Sequence, residues 1–142
     1  DPPSRTSQQA WIAHEGHRRL HGPLRLDASA SDWGEGEREG DGLFCANMIH
    51  IAPFSVAEGL LAGAGRLLPV NGQLFLYGPF GRDGDMAPSN RRFDSDLKRR
   101  DPDWGVRDLD RDILPVARAN GLMLKQTIEM PANNLSVILA RG

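Results

Sequence analysis

Apolar and polar positions along the chain fall into short blocks of differing period. Ser4 to Gly16 reads as a short helix: Ser4 or Thr6 caps it, Ala10, Trp11 and Ile12 give it apolar contacts, and Gly16 ends it. Leu24-Arg25-Leu26-Asp27-Ala28 alternates, which predicts a strand. Ser29 to Gly42 is a polar, glycine-rich loop with Trp33 as its one large apolar anchor. Leu43 to Ile49 is a continuous apolar run broken by Asn47, the profile of a parallel strand covered on both faces.

Ser55 and Glu58 have capping-box spacing. The helix they would open places Leu60, Leu61, Ala64, Leu67 and Leu68 on one stripe, and Pro69 with Asn71-Gly72 stops it. Gln73 to Tyr77 is a second buried strand, closed by Gly78-Pro79. The stretch from Pro79 to Asp108 is irregular apart from a predicted helix near Asn90 to Arg100, with Phe93 and Leu97 at i, i+4. The next helix takes Asp112 as its cap, which puts Pro115 in the first turn. Leu122–Met130 and Leu135–Arg141 are two strands whose short link, Pro131 to Asn134, joins only antiparallel neighbours. Alternating buried strands and helices predict an α/β fold, a mostly parallel sheet with a C-terminal antiparallel hairpin, in one domain over 1–142.

Composition narrows the class. Hydrophobic residues make up 39% and charged residues 25% of 142, as in a globular domain, and no apolar run is long enough to span a bilayer. The opening DPPSRTSQQA lacks the layout of a signal peptide, and the single cysteine suits a reducing, cytoplasmic setting. A net charge of −2 gives no global reason to bind nucleic acid.

Several constellations could carry chemistry. His14, His17 and His21 are spaced for one helical face, either as a surface cluster or as metal ligands, but no carboxylate or Cys completes a set and no metal is expected. Arg91, Arg92, Lys98, Arg99 and Arg100 alternate with Asp94, Asp96, Asp101 and Asp103, the pattern of a solvated helix face. Asp27 ends its predicted strand, where open α/β sheets bind ligands; it is either a ligand contact or a loop cap. Asn47, Met48 and His50 end the most buried run, where an amide and an imidazole need partners. Cys45 reads as a small apolar residue, not a nucleophile. No P-loop, Gly-x-Ser-x-Gly or strand-linked G-x-G-x-x-G is present.

Taken in order, PLRLDASASDW (Pro23 to Trp33), FCANMIHIAPFSVAEGLLAGAGRLLPVNGQLFLYGPF (Phe44 to Phe80), RRFDSDLKRRDPDWGVRD (Arg91 to Asp108) and EMPANNLSVIL (Glu129 to Leu139) resemble a small family of class I S-adenosylmethionine-dependent methyltransferases, a domain of unknown function typified by methyltransferase-like protein 26. The resemblance implies a Rossmann-like sheet of strand order 3-2-1-4-5-7-6, with Leu24–Ala28 as strand 3, Leu43–Ile49 as strand 4, Gln73–Tyr77 as strand 5 and the hairpin as strands 6 and 7. It also implies an N-terminal strand and glycine-rich loop that this chain lacks. The chain therefore resembles the C-terminal two thirds of such an enzyme, cut through its cofactor site.

By that resemblance the cofactor is S-adenosyl-L-methionine, met by Asp27 and Ala28 at the adenine and by Asn47 and Met48 beside the sulfonium. Asn47, His50, Tyr77, Asn133 and Asn134 would line the side of an unidentified small-molecule acceptor. Asn47 and His50 are the catalytic candidates, His50 either as the proton acceptor or as a structural group bonding backbone. The alternative function is a non-catalytic α/β interaction or nucleotide-binding module. Neither nucleic acid nor membrane is expected as a partner, and the flank left open beside Leu43–Ile49 invites a second copy of the chain.

Overall fold

The computed structural model describes residues 2–16, 18–34 and 40–142. Its sheet is built on β2 (Gln73–Pro79), where Leu74 and Leu76 are 0% and 2% exposed. On one side β1 (Gly42–Ala46) pairs in parallel, from Gly42 opposite Gln73 to Ala46 opposite Tyr77. On the other, β4 (Asn134–Arg141) runs antiparallel, and β3 (Leu122–Met130) pairs with β4 to give the order β1-β2-β4-β3. The α/β class, the adjacent parallel pair and the hairpin beside β2 match the sequence reading. The described sheet is mixed, with one parallel pairing among three.

One face of the sheet is covered by α2 (Phe54–Leu67) and α4 (Leu114–Ala119). Leu74, Leu76, Val137 and Leu139 from the strands meet Ala57, Leu61, Ala64, Ile113 and Ala117 in one apolar cluster. Burying each large aliphatic side chain there contributes roughly 1.5–3 kcal/mol. The remaining long helix, α3 (Pro88–Arg100), stands beyond the end of β2. The first helix, α1 (Pro2–Glu15), buries none of its residues.

Four boundaries depart from the sequence reading. Leu24–Ala28 is not a strand; Ala28 and Trp33 instead pack on α2 at Gly59 and Gly63, where any added Cβ would overlap the backbone of Ala28 or the Trp33 ring. Two glycines one turn apart make a flat strip that lets a loop lie against the helix, and this packing outweighs a five-residue alternation. The first apolar run is a strand only to Ala46, because Asn47 takes a left-handed conformation (φ 60°) and turns the chain into one 3₁₀ turn, Met48–His50; nor is it covered on both faces, since Phe44 is 74% exposed. Asparagine is one of the few residues that enters this region readily.

The other two are caps. Ser55 is not the cap of α2, whose N-cap is Pro53 with no side-chain capping bond. Asp108, not Asp112, caps the last helical segment: its carboxylate accepts from the Asp110 and Arg111 N–H groups, opening a π-helical turn, Leu109–Ile113, that runs into α4. Asp112 Oδ2 in turn accepts the Asp108 N–H at 2.8 Å.

Opposite the packed face, the sheet presents Phe44, Met123 and Ile128, which are 74%, 54% and 41% exposed. Phe75, Tyr77 and Ile138 share that face by strand alternation. Among the described residues β1 has no neighbour on its outer side. An apolar edge with dry backbone groups is a template for another strand. Light scattering on this chain is therefore expected to report self-association, and Phe44→Lys to shift it toward monomer without loss of stability; a strictly monomeric parent would contradict this. Gly59→Ala is expected to lower stability by about 1–3 kcal/mol by forcing the Ala28 backbone off α2, read as a fall in the urea midpoint.

Candidate functional site

Two hollows flank the turn that begins at Asn47: one runs along the open edge of β1, from Leu43 to Ala46, and the other lies beyond the ends of β1 and β2. The first, about 360 Å³, is apolar and is lined by Leu26, Ala28, Trp33, Ala46, Met48 and Leu60 together with Leu43, Phe44 and Cys45 of β1. The second, about 470 Å³, is lined by Asn47, Ser89, Asn90 and Asn134 and by the apolar Ile51, Pro79, Phe93 and Ala132. Both fall in the size range of small-molecule sites. Consecutive residues are thus divided between them: Ala46 and Met48 to the first, Asn47 to the second.

Asp27 lies just outside the first hollow, next to Ala28. Its Oδ1 accepts from both the Ser29 N–H at 3.0 Å and the Ser29 hydroxyl at 2.6 Å. Those bonds hold its carboxyl below the usual range, so the group is anionic at neutral pH. Because both fall on one oxygen, Oδ2 remains to accept from a ligand donor. Cys45 is half-buried, and burial pushes its thiol up.

Asn47 is fixed by its backbone. Its N–H donates to the Tyr77 carbonyl at 2.8 Å and its carbonyl accepts from His50 N–H at 3.2 Å, so the exposed amide stands at the rim of the second hollow. Asn134 lines that hollow too, its Nδ2 donating to the Pro131 carbonyl at 3.0 Å. Asn133 is drawn back to α3, donating from Nδ2 to Ser89 Oγ at 2.8 Å and accepting at its carbonyl from Asn90 Nδ2 at 2.9 Å. Tyr77 lines neither hollow; it lies on the open sheet face, opposite the side that buries Leu74 and Leu76.

His50 is fully buried. Its Nδ1 accepts from the Arg107 N–H at 3.2 Å, which puts the imidazole proton on Nε2. The ring stacks edge-on to Phe80 with centroids 4.9 Å apart. At Gly78 a Cβ would stand 2.8 Å from His50 Nε2 and 3.2 Å from Asn47 Oδ1, so only glycine admits both groups there. Nε2 has no hydrogen-bond partner. As it stands, the imidazole offers a ligand no lone pair, and of the two sequence readings the geometry matches the group that bonds backbone.

Sequence reasoning passed over Ser89, Asn90, Phe93, Ile51 and Arg107. The Arg107 guanidinium donates to the carbonyls of Ile49 (3.0 Å), Ala52 (2.7 Å) and Asp103 (2.8 Å) and lies over the Phe54 ring. It thereby caps the turn that carries Asn47 and His50. The available signal was Asn90, an uncharged amide in a helix otherwise rich in charge. Of the histidine triplet, His14 and His21 are exposed and His17 lies outside the described residues. No group of three or more metal-ligating side chains occurs among the described residues.

Burial, and then the Arg107 charge, push His50 down from 6.5 to about 4. A base whose folded pKa is lowered contributes full stability above its unfolded value; that stability is lost as pH falls from 6.5 toward 4, because the unfolded chain takes the proton first. The loss is expected to reach about 3 kcal/mol at most. His50→Asn, which keeps an acceptor but cannot titrate, should flatten the difference between pH 7 and pH 4 in urea unfolding. An unchanged slope would contradict it.

Solved structures similar in fold to this chain include methyltransferases. The chain aligns over 99% of its length with 42% of an O-methyltransferase family protein from Burkholderia thailandensis, at 19% identity and a TM-score of 0.74. It aligns over 93% with 37% of human N-acetylserotonin methyltransferase in complex with SAM, at 12% identity and a TM-score of 0.70. A third, the calicheamicin-biosynthesis methyltransferase CalO1 in its SAH-bound form, matches over 87% of this chain and 38% of its own, at 14% identity and a TM-score of 0.67. The chain thus spans about two fifths of the length of these proteins. No described helix is long and apolar enough to cross a membrane. Residues 1–141 match one family model, and the chain belongs to the family described as "Protein of unknown function (DUF938)".

Proposed function

We propose that this chain is the C-terminal part of an S-adenosylmethionine-dependent methyltransferase of the methyltransferase-like protein 26 type, acting on a small-molecule acceptor in the cytoplasm. The observation that carries the reading is the pair of hollows flanking Asn47, one along the open edge of β1 and the other at the strand ends where open α/β sheets bind ligands. The first hollow fits a purine nucleoside: its walls are apolar, and Asp27, just outside it beside Ala28, keeps an oxygen for an exocyclic amino group. S-adenosylmethionine, when bound, supplies a methyl group that is already activated. The protein is left with alignment, which can by itself remove a large share of a barrier.

In this reading Ala28, Trp33 and Met48 hold the adenosine, and Asn47 stands between donor and acceptor. Asn134 contributes to the acceptor side directly, and Asn133 acts by pinning the hairpin turn to α3. Tyr77 takes part only through its carbonyl, which fixes Asn47. His50 serves as a positioning group whose ring spaces Gly78 and Asn47, so a proton released by the acceptor passes to solvent. A nucleotide-binding module without transfer would need the first hollow alone; the second hollow, one residue away, favours transfer.

Two titrations test the proposal. The donor's methionine end needs a close backbone turn of glycine type, which this sequence does not supply, so calorimetry on the 142-residue chain is expected to give no low-micromolar dissociation constant. In the parent protein, Asp27→Ala is expected to weaken S-adenosylmethionine binding roughly tenfold at unchanged melting temperature. Equal affinity in mutant and parent would remove Asp27 from the site.

A further inference from the structure

The second hollow has a chemistry of its own. Its polar lining consists of three carboxamides and one hydroxyl, and no ionisable side chain contributes to it. Arg82 and Glu129 line an adjoining hollow that shares Asn90 and Asn134. The Asp94 carboxylate takes Lys98 Nζ at 2.7 Å and the Val106 N–H at 2.9 Å, Arg91 pairs with Asp85, and Arg82 Nε bonds Asp110 at 2.7 Å. An ionic ligand seated here would exchange part of its water for amides, with no side-chain counter-charge in the lining, whereas a neutral ligand gives up less.

Asn90 gives the hollow a fixed post. It is 5% exposed, on the first turn of α3, and its Nδ2 is committed to the Asn133 carbonyl. The amide is thereby oriented, and its Oδ1 is met only by Ser89 Oγ at 3.4 Å, a long bond for two oxygens. A well-placed acceptor is therefore held in a nearly buried position. Beside it, Phe93 and Ile51 leave 40% and 46% of their surface open, enough apolar area to bed a flat ring.

We infer that the acceptor is an uncharged small molecule with a ring-sized apolar body and a hydroxyl or amide N–H that donates to Asn90 Oδ1, and that charged analogues bind less well. The name acceptor rests on the methyl-transfer reading; the selectivity follows from the lining alone.

Saturation-transfer NMR on the 142-residue chain tests this with phenol, benzoate and benzylamine as probes, and backbone amide shifts locate them. Phenol is expected to bind with shifts at Asn47, Ser89 and Asn90, and the two ions about fivefold less or weaker. Phe93→Ala, at an exposed position, should remove most of the phenol signal. Ser89→Asp, which places a carboxylate in the lining, should admit benzylamine in its place. Benzoate or benzylamine binding as well as phenol, phenol shifts confined to the open face at Phe44 and Ile138, or a phenol signal unmoved by Phe93→Ala would each overturn the inference. Donor titration separates the two ideas. A parent protein that never engages S-adenosylmethionine while its phenol selectivity holds loses the transferase reading and keeps a neutral-ligand site. One that engages the donor but fails the phenol tests loses this inference alone.

Discussion

The exit of the chain from β1 is the constraint on which the site depends. A strand that stops at Ala46 leaves the carbonyls of Ile49, His50 and Ala52 without sheet partners, and buried carbonyls must be satisfied. A distant segment does this. Gly105 donates its N–H to the His50 carbonyl at 2.9 Å, the Arg107 N–H reaches His50 Nδ1, and the Arg107 guanidinium takes the carbonyls of Ile49 and Ala52. With that clamp in place, the left-handed Asn47 has nowhere to relax. Its amide and the Met48 side chain are held on opposite sides of one turn, which is the geometry both hollows require.

The elements legible in the sequence were those marked by a local apolar pattern. Leu43 to Ala46, Gln73 to Tyr77, the stripe of α2 and the terminal hairpin are continuous or periodic apolar runs, even where, as at Phe44 and Met123, one face stays open. What escaped depended on partners far along the chain. Alternation in Leu24–Ala28 is a local signal, whereas Gly59 and Gly63, which decide that segment's place, lie some thirty residues on and inside a helix. The choice of Pro53 over Ser55 and of Asp108 over Asp112 as caps turned on where the preceding loop was anchored, and periodicity carries no record of that.

The site divides the same way. Asp27, Ala28, Asn47, Met48 and Asn134 sit at strand ends or loop turns, where both the chemistry and the family resemblance point. Ser89, Asn90 and Phe93 sit on a helix whose pattern reads as solvated charge. The pair Phe93 and Leu97 illustrates the ambiguity: at i, i+4 both could pack inward, yet Leu97 is 1% exposed and Phe93 is 40% exposed, facing the hollow. Only the placement of α3 against the hairpin turn, through Asn90 and Asn133, tells the two apart.

The first hollow and the open edge of the sheet share residues. Phe44 and Ala46 belong to the outer strand and also line the apolar hollow where the adenosine is proposed to sit. Anything that pairs with β1, whether a second copy or further chain, therefore changes the walls of that hollow. By linkage, a ligand that binds better to the covered edge strengthens the pairing by the same factor that pairing strengthens the ligand. Edge pairing and occupancy of that hollow are then linked equilibria, each reading the other.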